Sequence, residues 1–197
     1  TIYVGMADGL CVIPRNAPKQ LRFMLKDTDI YSVFESSEKE VWIGTRMQGL
    51  YRLKNNALQM VPQTSTGNIG IRNPQIRAFV EDDEHNIWFG TFAGLQKYDV
   101  RKQTYTMIQI PQYVGGLNHP SIFSLYQDRQ GTIWIGSYYG GVNYFSPDHS
   151  GVVHYDYQTG NQSNLYYSYI GEMVEDKHAN LWISTDGGGI SCVNENW

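Results

Sequence analysis

Residues 133–142 read IWIGSYYGGV, a short apolar run with a Trp and a Gly that ends in a Gly pair. The same frame occurs four more times, so the stretch is one copy of an internal repeat. The other copies are IYVGMADGL at 2–10, VWIGTRMQGL at 41–50, IWFGTFAGL at 87–95 and LWISTDGGGI at 181–190. Their tryptophans follow one another at intervals of 46 to 48 residues, at Trp42, Trp88, Trp134 and Trp182, and Tyr3 takes the same place in the first copy.

Each copy lies in a unit with the pattern of four short strands. An apolar run ends six positions before the Trp, at Asp82, Asp128 and Asp176, with Ser36 in the same place one unit earlier. Turn-forming residues follow, and the apolar stretches alternate or run for a few residues, which is typical of strands rather than helices. Four-stranded units of about 40–50 residues are typical of β-propeller blades. The sequence therefore predicts an all-β fold, a β-propeller of four-stranded blades.

The repeat predicts about three complete blades and two partial ones. Single propeller units are expected at approximately 1–29, 30–75, 76–121, 122–168 and 169–197, within one domain that covers 1–197. Propellers usually close with about four to eight blades, and the two partial units together hold more strands than one blade needs. We therefore expect a segment of a larger propeller, with a small self-closed ring as the alternative.

The repeated residues are expected to have structural roles, because a chemical site is rarely built several times in one chain. The tryptophans can bury a large side chain between adjacent blades. The Gly that follows two residues later removes a side chain where backbones crowd, at Gly44, Gly90 and Gly136, whereas Ser184 replaces it in the last copy. The aspartates can accept the backbone N–H groups of the turns that they open.

Composition and charge exclude several classes of function. Charged residues make up 17% of the chain and the net charge is −4, without a basic run, so no contact with nucleic acid is expected. Cys11 and Cys192 lie in apolar stretches and are expected to be small buried residues, although a disulfide between them is left open. The five histidines are scattered without metal-ligand spacing, so neither a metal nor a cofactor is predicted.

Residues 75–99 and 121–145 resemble the two-component regulator propeller repeat almost throughout. The pattern of that repeat runs approximately I-x-x-I-x-E-D-x-x-G-x-I-W-I-G-T-x-x-G-G-L-x-x-Y. The chain departs from it at Ser36 in the earlier unit and at Ser184 in the last one. With these exceptions the resemblance covers essentially the whole chain.

This resemblance implies an extracytoplasmic sensor without enzymatic activity of its own. Such repeats form the periplasmic part of hybrid two-component histidine kinases of Bacteroidetes, which typically detect oligosaccharides and regulate polysaccharide-utilisation genes. The partners so implied are an oligosaccharide or other small-molecule ligand and the remaining blades and downstream domains of a parent receptor. A homodimer is a further option.

Candidate ligand-binding residues lie in the turns after each Trp strand, where side chains vary while the surrounding frame repeats. Variable loops on a rigid scaffold are typical binding positions. These residues are Arg46, Gln48, Phe92, Tyr138, Tyr139 and Asp186. The tyrosine-rich linker 154–169, with Tyr157 and Tyr166, is a second candidate. The alternative is that these side chains only pack on neighbouring blades.

Two other classes of protein remain open at this point. A propeller glycoside hydrolase or lyase would need two carboxylates across a cleft, whereas the acids here lie mainly at repeated turns. The segment from Asp128 to Trp134 is similar to a sialidase Asp box but has one extra residue between the Asp and Gly131. A propeller that only binds other proteins is the third class.

Overall fold

The computed structural model describes residues 1–64, 68–108, 117, 119–146, 152–155, 165, 167 and 169–193. Every regular element in this part of the chain is a β-strand. None of the described residues forms a helix with the length and apolar character needed to cross a bilayer.

The strands form five antiparallel sheets, which we number as blades one to five in chain order. Blade one contains β1 (Ile2–Met6), β2 (Gly9–Ile13) and β3 (Arg22–Met24). Blade two contains β4 (Ile30–Glu35), β5 (Val41–Thr45), β6 (Leu50–Lys54) and β7 (Ala57–Met60). Blade three contains β8 (Ile76–Glu81), β9 (Ile87–Thr91), β10 (Gly94–Asp99) and β11 (Thr104–Met107). Blade four contains β12 (Ile122–Gln127), β13 (Ile133–Ser137), β14 (Val142–Phe145) and β15 (Val152–Tyr155). Blade five contains β16 (Ile170–Glu175), β17 (Leu181–Thr185) and β18 (Gly189–Val193).

This architecture confirms the predicted β-propeller segment of three complete blades between two partial ones. Strands that are consecutive in the chain are neighbours in each sheet. Blade one begins on β1, the equivalent of the Trp strand β5, and the described part of blade five ends on its third strand. The first strands of blades two to five, β4, β8, β12 and β16, lie against one another from blade to blade. They are therefore the inner strands, which line the central channel of a propeller.

Each inner strand carries a β-bulge directly after its first residue. In β4 the pairing passes from Ile30 to Ser32, so that Tyr31 has no partner in β5. The same shift leaves Arg77 unpaired in β8 and Phe123 unpaired in β12. A bulge bends the strand and redirects the extra side chain. These side chains thus lie at the start of the inner strands, where the regular alternation of side chains between the two faces of the sheet is interrupted.

The Trp strand of each blade packs on the blade that follows. Trp42 is 1% exposed and its ring centroid lies 5.2 Å from that of Tyr98 in blade three. Trp88 lies 5.8 Å from Phe145 in blade four, and Trp134 packs against the core of blade five. The expectation that Trp182 is buried in the same way is wrong, because this side chain is 41% exposed. No further blade among the described residues covers its ring.

The glycines of the Trp strands allow the next inner strand to approach closely. A Cβ atom at Gly90 would lie 2.5 Å from Ile122 Cγ2, and one at Gly44 would lie 2.8 Å from the Ile76 carbonyl oxygen. Gly136 is crowded in the same way by Ile170. Ser184 replaces this glycine in blade five, where the described residues include no following inner strand. The Ser184 hydroxyl instead accepts the backbone N–H of Glu172 in the inner strand of its own blade over 2.8 Å.

The repeated aspartates join the turn after each inner strand to the Trp of the same blade. The indole Nε1 atoms of Trp88, Trp134 and Trp182 donate to Asp82, Asp128 and Asp176 over 2.7, 2.8 and 3.0 Å. The other oxygen of each carboxylate accepts the backbone N–H groups two and four residues later. Each aspartate thus stabilises both its turn and the orientation of its Trp.

Blade two lacks this aspartate and is built differently. Ser36 accepts only the backbone N–H of Glu40, and the buried Nε1 of Trp42 has no hydrogen-bond partner. The Arg52 guanidinium lies 5.1 Å from the Trp42 ring and pairs with Glu40 at 2.5 Å. A cation–π contact and a partly buried ion pair therefore stand where the other blades have a carboxylate–indole bond.

Both cysteines are free thiols. Cys11 is buried in blade one, whereas Cys192 is partly buried in blade five. They lie in the two outermost blades of the described chain.

Replacement of Gly90 by Ala is expected to lower the free energy of unfolding by about 1–3 kcal/mol, the usual cost of overpacking. The physical reason is the approach of the new Cβ to Ile122 Cγ2. Chemical denaturation measures the effect. In the background of Ile122→Ala, which removes that methyl group, the same substitution should cost less. Strict additivity of the two single effects would contradict the proposed clash.

The stability of blade five is expected to fall in acid through Asp176. Hydrogen bonds from the side chains of Asn180 and then Trp182 hold the pKa of this carboxyl well below its ordinary value of 3.8. Its contribution is therefore complete above about pH 4 and is lost as the pH falls further. The difference in urea midpoint between the wild type and Asp176→Asn should shrink from about pH 6 to about pH 2. A difference that persists unchanged into acid would contradict this assignment.

Candidate functional site

The turns between the second and third strands lie on the same face as the starts of the inner strands. In blades two to five the first residue of each turn donates its backbone N–H to the carbonyl just before the inner strand. The bonds run from Arg46 to Asp29, Phe92 to Gln75, Tyr138 to Ser121 and Asp186 to Tyr169, over 2.9 to 3.2 Å. We call this surface the turn face.

The turn face combines these turn residues with the bulge residues of the inner strands. Tyr31, Arg77 and Phe123 each stand two residues after the carbonyl that anchors a turn. Because the inner strands line the channel of a propeller, the turn face surrounds the mouth of that channel. Side chains from several blades can therefore contact one ligand there.

Four aromatic side chains pack together on the turn face and form what we call the aromatic cluster: Phe123, Tyr138, Tyr139 and Tyr169. Phe123 and Tyr138 are stacked with their centroids 5.7 Å apart, and Tyr169 lies 4.9 Å from Phe123. Tyr138 also lies 4.6 Å from Tyr169 and 4.3 Å from Tyr139. The cluster joins blades four and five at the mouth of the channel.

The two adjacent tyrosines of the turn have different environments. Tyr138 is partly buried between Phe123 and Tyr169, whereas Tyr139 is 56% exposed. The backbone of Tyr139 is left-handed, with φ of 62°, a conformation that is uncommon for a residue other than glycine. Tyr138 therefore packs the cluster, and Tyr139 presents its ring to solvent.

The hydroxyls of Tyr139 and Tyr169 are neutral at physiological pH, because their surroundings raise the pKa of each. The hydrogen bond with Tyr138 is the main cause that raises the pKa of Tyr139. Burial raises the pKa of Tyr169, and the nearby Asp186 carboxylate raises it further. A neutral phenol both donates and accepts hydrogen bonds, which suits the hydroxyl groups of a polar ligand.

Arg77 links Phe92 of its own blade to the aromatic cluster. Its guanidinium lies 4.4 Å from the Phe123 ring centroid and 5.2 Å from that of Phe92. Nη1 of the same group donates to the buried Ser121 Oγ over 2.8 Å. Two rings and one hydroxyl thus hold this cation at the channel mouth.

The blade-two residues of the turn face form a separate polar group. Arg46 pairs with Asp29 at 3.5 Å and lies 5.8 Å from the Tyr31 ring. Gln48 donates through Nε2 to the Asp27 carbonyl over 3.3 Å. This group and the aromatic cluster lie on the same face, and Tyr31 is within electrostatic range of the Tyr169 hydroxyl.

The structure brings only some of the sequence-predicted binding residues together. Phe92 contacts Arg77, Tyr138 contacts Phe123, and Tyr139 contacts Tyr138 and Tyr169. Asp186 lies next to Tyr169. Arg46 and Gln48 belong to the polar group of blade two. Tyr157 and Tyr166 lie outside the described residues.

Sequence reasoning missed three residues of the turn face, Tyr31, Arg77 and Phe123, whereas Tyr169 ends the candidate linker 154–169. A usable signal was present for these three. The residue after the repeated Ile of each inner strand changes from Tyr to Arg to Phe to Gly, while the frame around it stays constant. The same variability identified the turn residues.

A Ser–His–Glu group lies between blades two and three, at the opposite ends of their inner strands. Ser37 Oγ and Glu81 Oε1 both approach His85 Nδ1, each at 3.0 Å. A catalytic relay needs the nucleophile and the acid on different nitrogens of the imidazole. The backbone N–H of Ser37 also donates to Glu81 over 2.7 Å. These contacts connect the two blades and lack the geometry of a hydrolase triad.

The described residues contain no group of three His, Cys, Asp or Glu side chains that could hold a metal ion. The turn face offers aromatic rings, tyrosine hydroxyls, the Gln48 amide, the Asp186 carboxylate, the ion pair of Arg46 with Asp29 and the Arg77 guanidinium.

Comparison with known proteins identifies the type of repeat. Residues 70–93 and 116–139 match the family model for the two component regulator propeller. This match confirms, for these two segments, the resemblance inferred from the sequence. No curated protein matches the chain.

Solved structures of similar fold are propellers with varied roles. The extracellular domain of a Bacteroides thetaiotaomicron protein described as a hybrid two component system matches with a TM-score of 0.79 and 22% identity, over 96% of this chain. This chain spans about a quarter of that structure, 25% of its length. Virginiamycin B lyase from Staphylococcus aureus matches with a TM-score of 0.66 and 11% identity, over 95% of this chain and 63% of the lyase. YCF48 bound to D1 peptide matches with a TM-score of 0.64 and 13% identity, over 99% of this chain and 60% of that protein. At these identities the similarity concerns the fold.

Replacement of Tyr138 by Ala is expected to lower the free energy of unfolding by about 1–3 kcal/mol, because it removes the ring contacts with Phe123, Tyr139 and Tyr169. The same replacement at Tyr139 should leave the melting temperature nearly unchanged, since that ring is mostly exposed. Thermal unfolding of the two variants measures the contrast. Equal destabilisation by both would show that Tyr139 is also a packing residue.

Proposed function

We propose that the chain is part of the extracytoplasmic sensor of a two-component signalling receptor. The repeat type supports this role, and so does the similar fold of the extracellular domain from B. thetaiotaomicron. In this proposal the chain lies in the periplasm and contributes no enzymatic step. Ligand binding acts through the kinase of the parent protein, a hybrid histidine kinase, on the expression of polysaccharide-utilisation genes.

The ligand in this proposal is an oligosaccharide that binds on the turn face. The observation that carries it is the concentration of exposed large side chains there: Tyr139 is 56% exposed, Phe92 52%, Met47 65% and Tyr31 45%. Exposed apolar side chains gathered on one face mark interaction sites. A pyranose ring has a face of C–H groups that can stack on an aromatic ring, and hydroxyls that can bond to tyrosine.

The arrangement of the carboxylates on this face favours binding of an oligosaccharide without its hydrolysis. Asp29 is already paired with Arg46, and Asp186 stands alone in an exposed turn. A glycosidase needs two carboxylates placed across its substrate. The lyase among the similar structures shares the fold at only 11% identity.

The partners in this proposal include further blades of the parent receptor. Blade five exposes Val174, Trp182 and Ile190, and blade one exposes Ile2, Val4 and Phe23. Each set lies on the outer face of a terminal blade, where the blades inside the segment meet their neighbours. Downstream domains of the parent protein transmit the signal, and a homodimer is the alternative occupant of these faces.

Tyr139→Ala is expected to abolish the response of the parent receptor to its oligosaccharide and to weaken glycan binding by the isolated chain at least about tenfold, the loss of one stacking contact. Calorimetry on the chain and a reporter gene in cells measure the two effects. Met60→Ala is the control, because Met60 is 51% exposed but lies in β7, the outermost strand of blade two. An unchanged response in Tyr139→Ala would remove this residue from the site.

A further inference from the structure

Arg77 differs from the other arginines that contact aromatic rings in the described chain. Arg52 lies over Trp42 and Tyr98 and is paired with Glu40. Arg46 lies over Tyr31 and is paired with Asp29. Arg77 lies between Phe92 and Phe123, and none of the ion pairs among the described residues includes it. Its positive charge is therefore not neutralised by a neighbouring carboxylate in that part of the chain.

The hydrogen bonding of Arg77 is also incomplete. A guanidinium has five N–H donors. One of them reaches Ser121 Oγ, and the buried Nε has no partner. Removing a cation partly from water costs free energy unless acceptors form hydrogen bonds with its unused N–H donors.

The position of Arg77 is fixed before any ligand binds. The bulge at the start of β8 redirects the side chain, the two phenylalanines flank its guanidinium, and Ser121 orients one end. A group held in this way loses little conformational entropy on binding. A guanidinium matches the paired oxygens of a carboxylate or a sulfate, and such bonds are stronger than those between neutral groups.

The other charges of the turn face leave this cation available. The carboxylate of Asp29 is used by Arg46. The Asp186 carboxylate raises the pKa of the Tyr169 hydroxyl, whereas the Arg77 guanidinium lowers it. Among the described residues Asp186 forms no ion pair with Arg77. Tyr169 is thus influenced by both charges. The Arg77 guanidinium is adjacent to the aromatic cluster, because Phe123 belongs to that cluster and flanks the guanidinium.

We infer that the oligosaccharide bound by the turn face is acidic, and that Arg77 recognises its carboxylate or sulfate group while a neighbouring sugar ring stacks on Tyr139. This inference rests on the proposed function and adds the class of ligand. Arg77 is a specificity-determining residue in this arrangement: it selects uronate-bearing or sulfated sugars over neutral ones.

The test is equilibrium binding of the 197-residue chain to a glycan panel in which each acidic oligosaccharide has a neutral counterpart. Oligogalacturonate is paired with its carboxyl-reduced form, and κ-carrageenan oligosaccharide with its desulfated form. We expect at least one acidic member to bind about tenfold or more tightly than its counterpart, the range for one charged contact. The pair that shows the preference distinguishes a carboxylate ligand from a sulfate ligand.

Variants of Arg77 link that preference to this residue. Arg77→Met should remove the preference for the acidic member, because it removes the charge-assisted contact. Arg77→Lys should retain part of the preference for the acidic member, because it keeps the positive charge. This second variant keeps the test valid if Arg77→Met does not fold. Thermal unfolding of each variant separates a loss of recognition from a loss of structure.

The outcomes separate the inference from the proposed function. Binding of neutral glycans with equal or greater affinity would overturn the acidic-ligand inference and leave the sensor proposal standing. A preference for acidic glycans that survives in a folded Arg77→Met or Arg77→Lys variant would overturn the role of Arg77. Failure to bind any member would overturn oligosaccharide binding itself, and the inference would fall with it.

Discussion

The close approach between the Gly of each Trp strand and the Ile that begins the next inner strand is the constraint on which the rest of the structure depends. At Gly90 and Ile122 there is no room for a Cβ atom. This contact brings neighbouring blades together and places the Trp side chain against the following sheet. The bulge residue follows the Ile directly, so that the positions of Arg77 and Phe123 are set within one residue of an interblade contact.

Ser184 and Ser36 are exceptions to the repeat. Ser184 in blade five accepts the backbone N–H of Glu172 in its own inner strand. Ser36 leaves the Trp42 indole without an acceptor, and the ion pair between Arg52 and Glu40 stabilises that part of blade two instead. Each departure from the repeated sequence is thus accompanied by a polar contact that the other blades lack.

The blades could be predicted from the sequence because their signal is periodic. The Trp, Gly and Asp positions repeat, and each repeat dictates a strand, a close contact or a turn. The aromatic cluster could be predicted only in part, because Tyr138 belongs to blade four and Tyr169 precedes the inner strand of blade five, and their rings meet through the packing of the two blades. The sequence pattern did not predict the bulges either, because a bulge changes the direction of one side chain without changing the order of apolar and polar residues. The exposure of Trp182 depends on a neighbouring blade, which a pattern within one unit does not describe.

The division between constant and variable positions has a physical origin. A side chain between two blades must fit a neighbour of fixed shape, so its identity is restricted in every copy. A side chain at the start of an inner strand faces the channel mouth, where the fold tolerates Tyr, Arg, Phe or Gly in turn. Blades three and four bring Phe92, Arg77 and Phe123 into one stack there, so the guanidinium is held by two blades at once. A ligand that contacts both Arg77 and Tyr139 would therefore bridge neighbouring blades, and its binding energy would depend on the spacing that the Gly–Ile contacts impose.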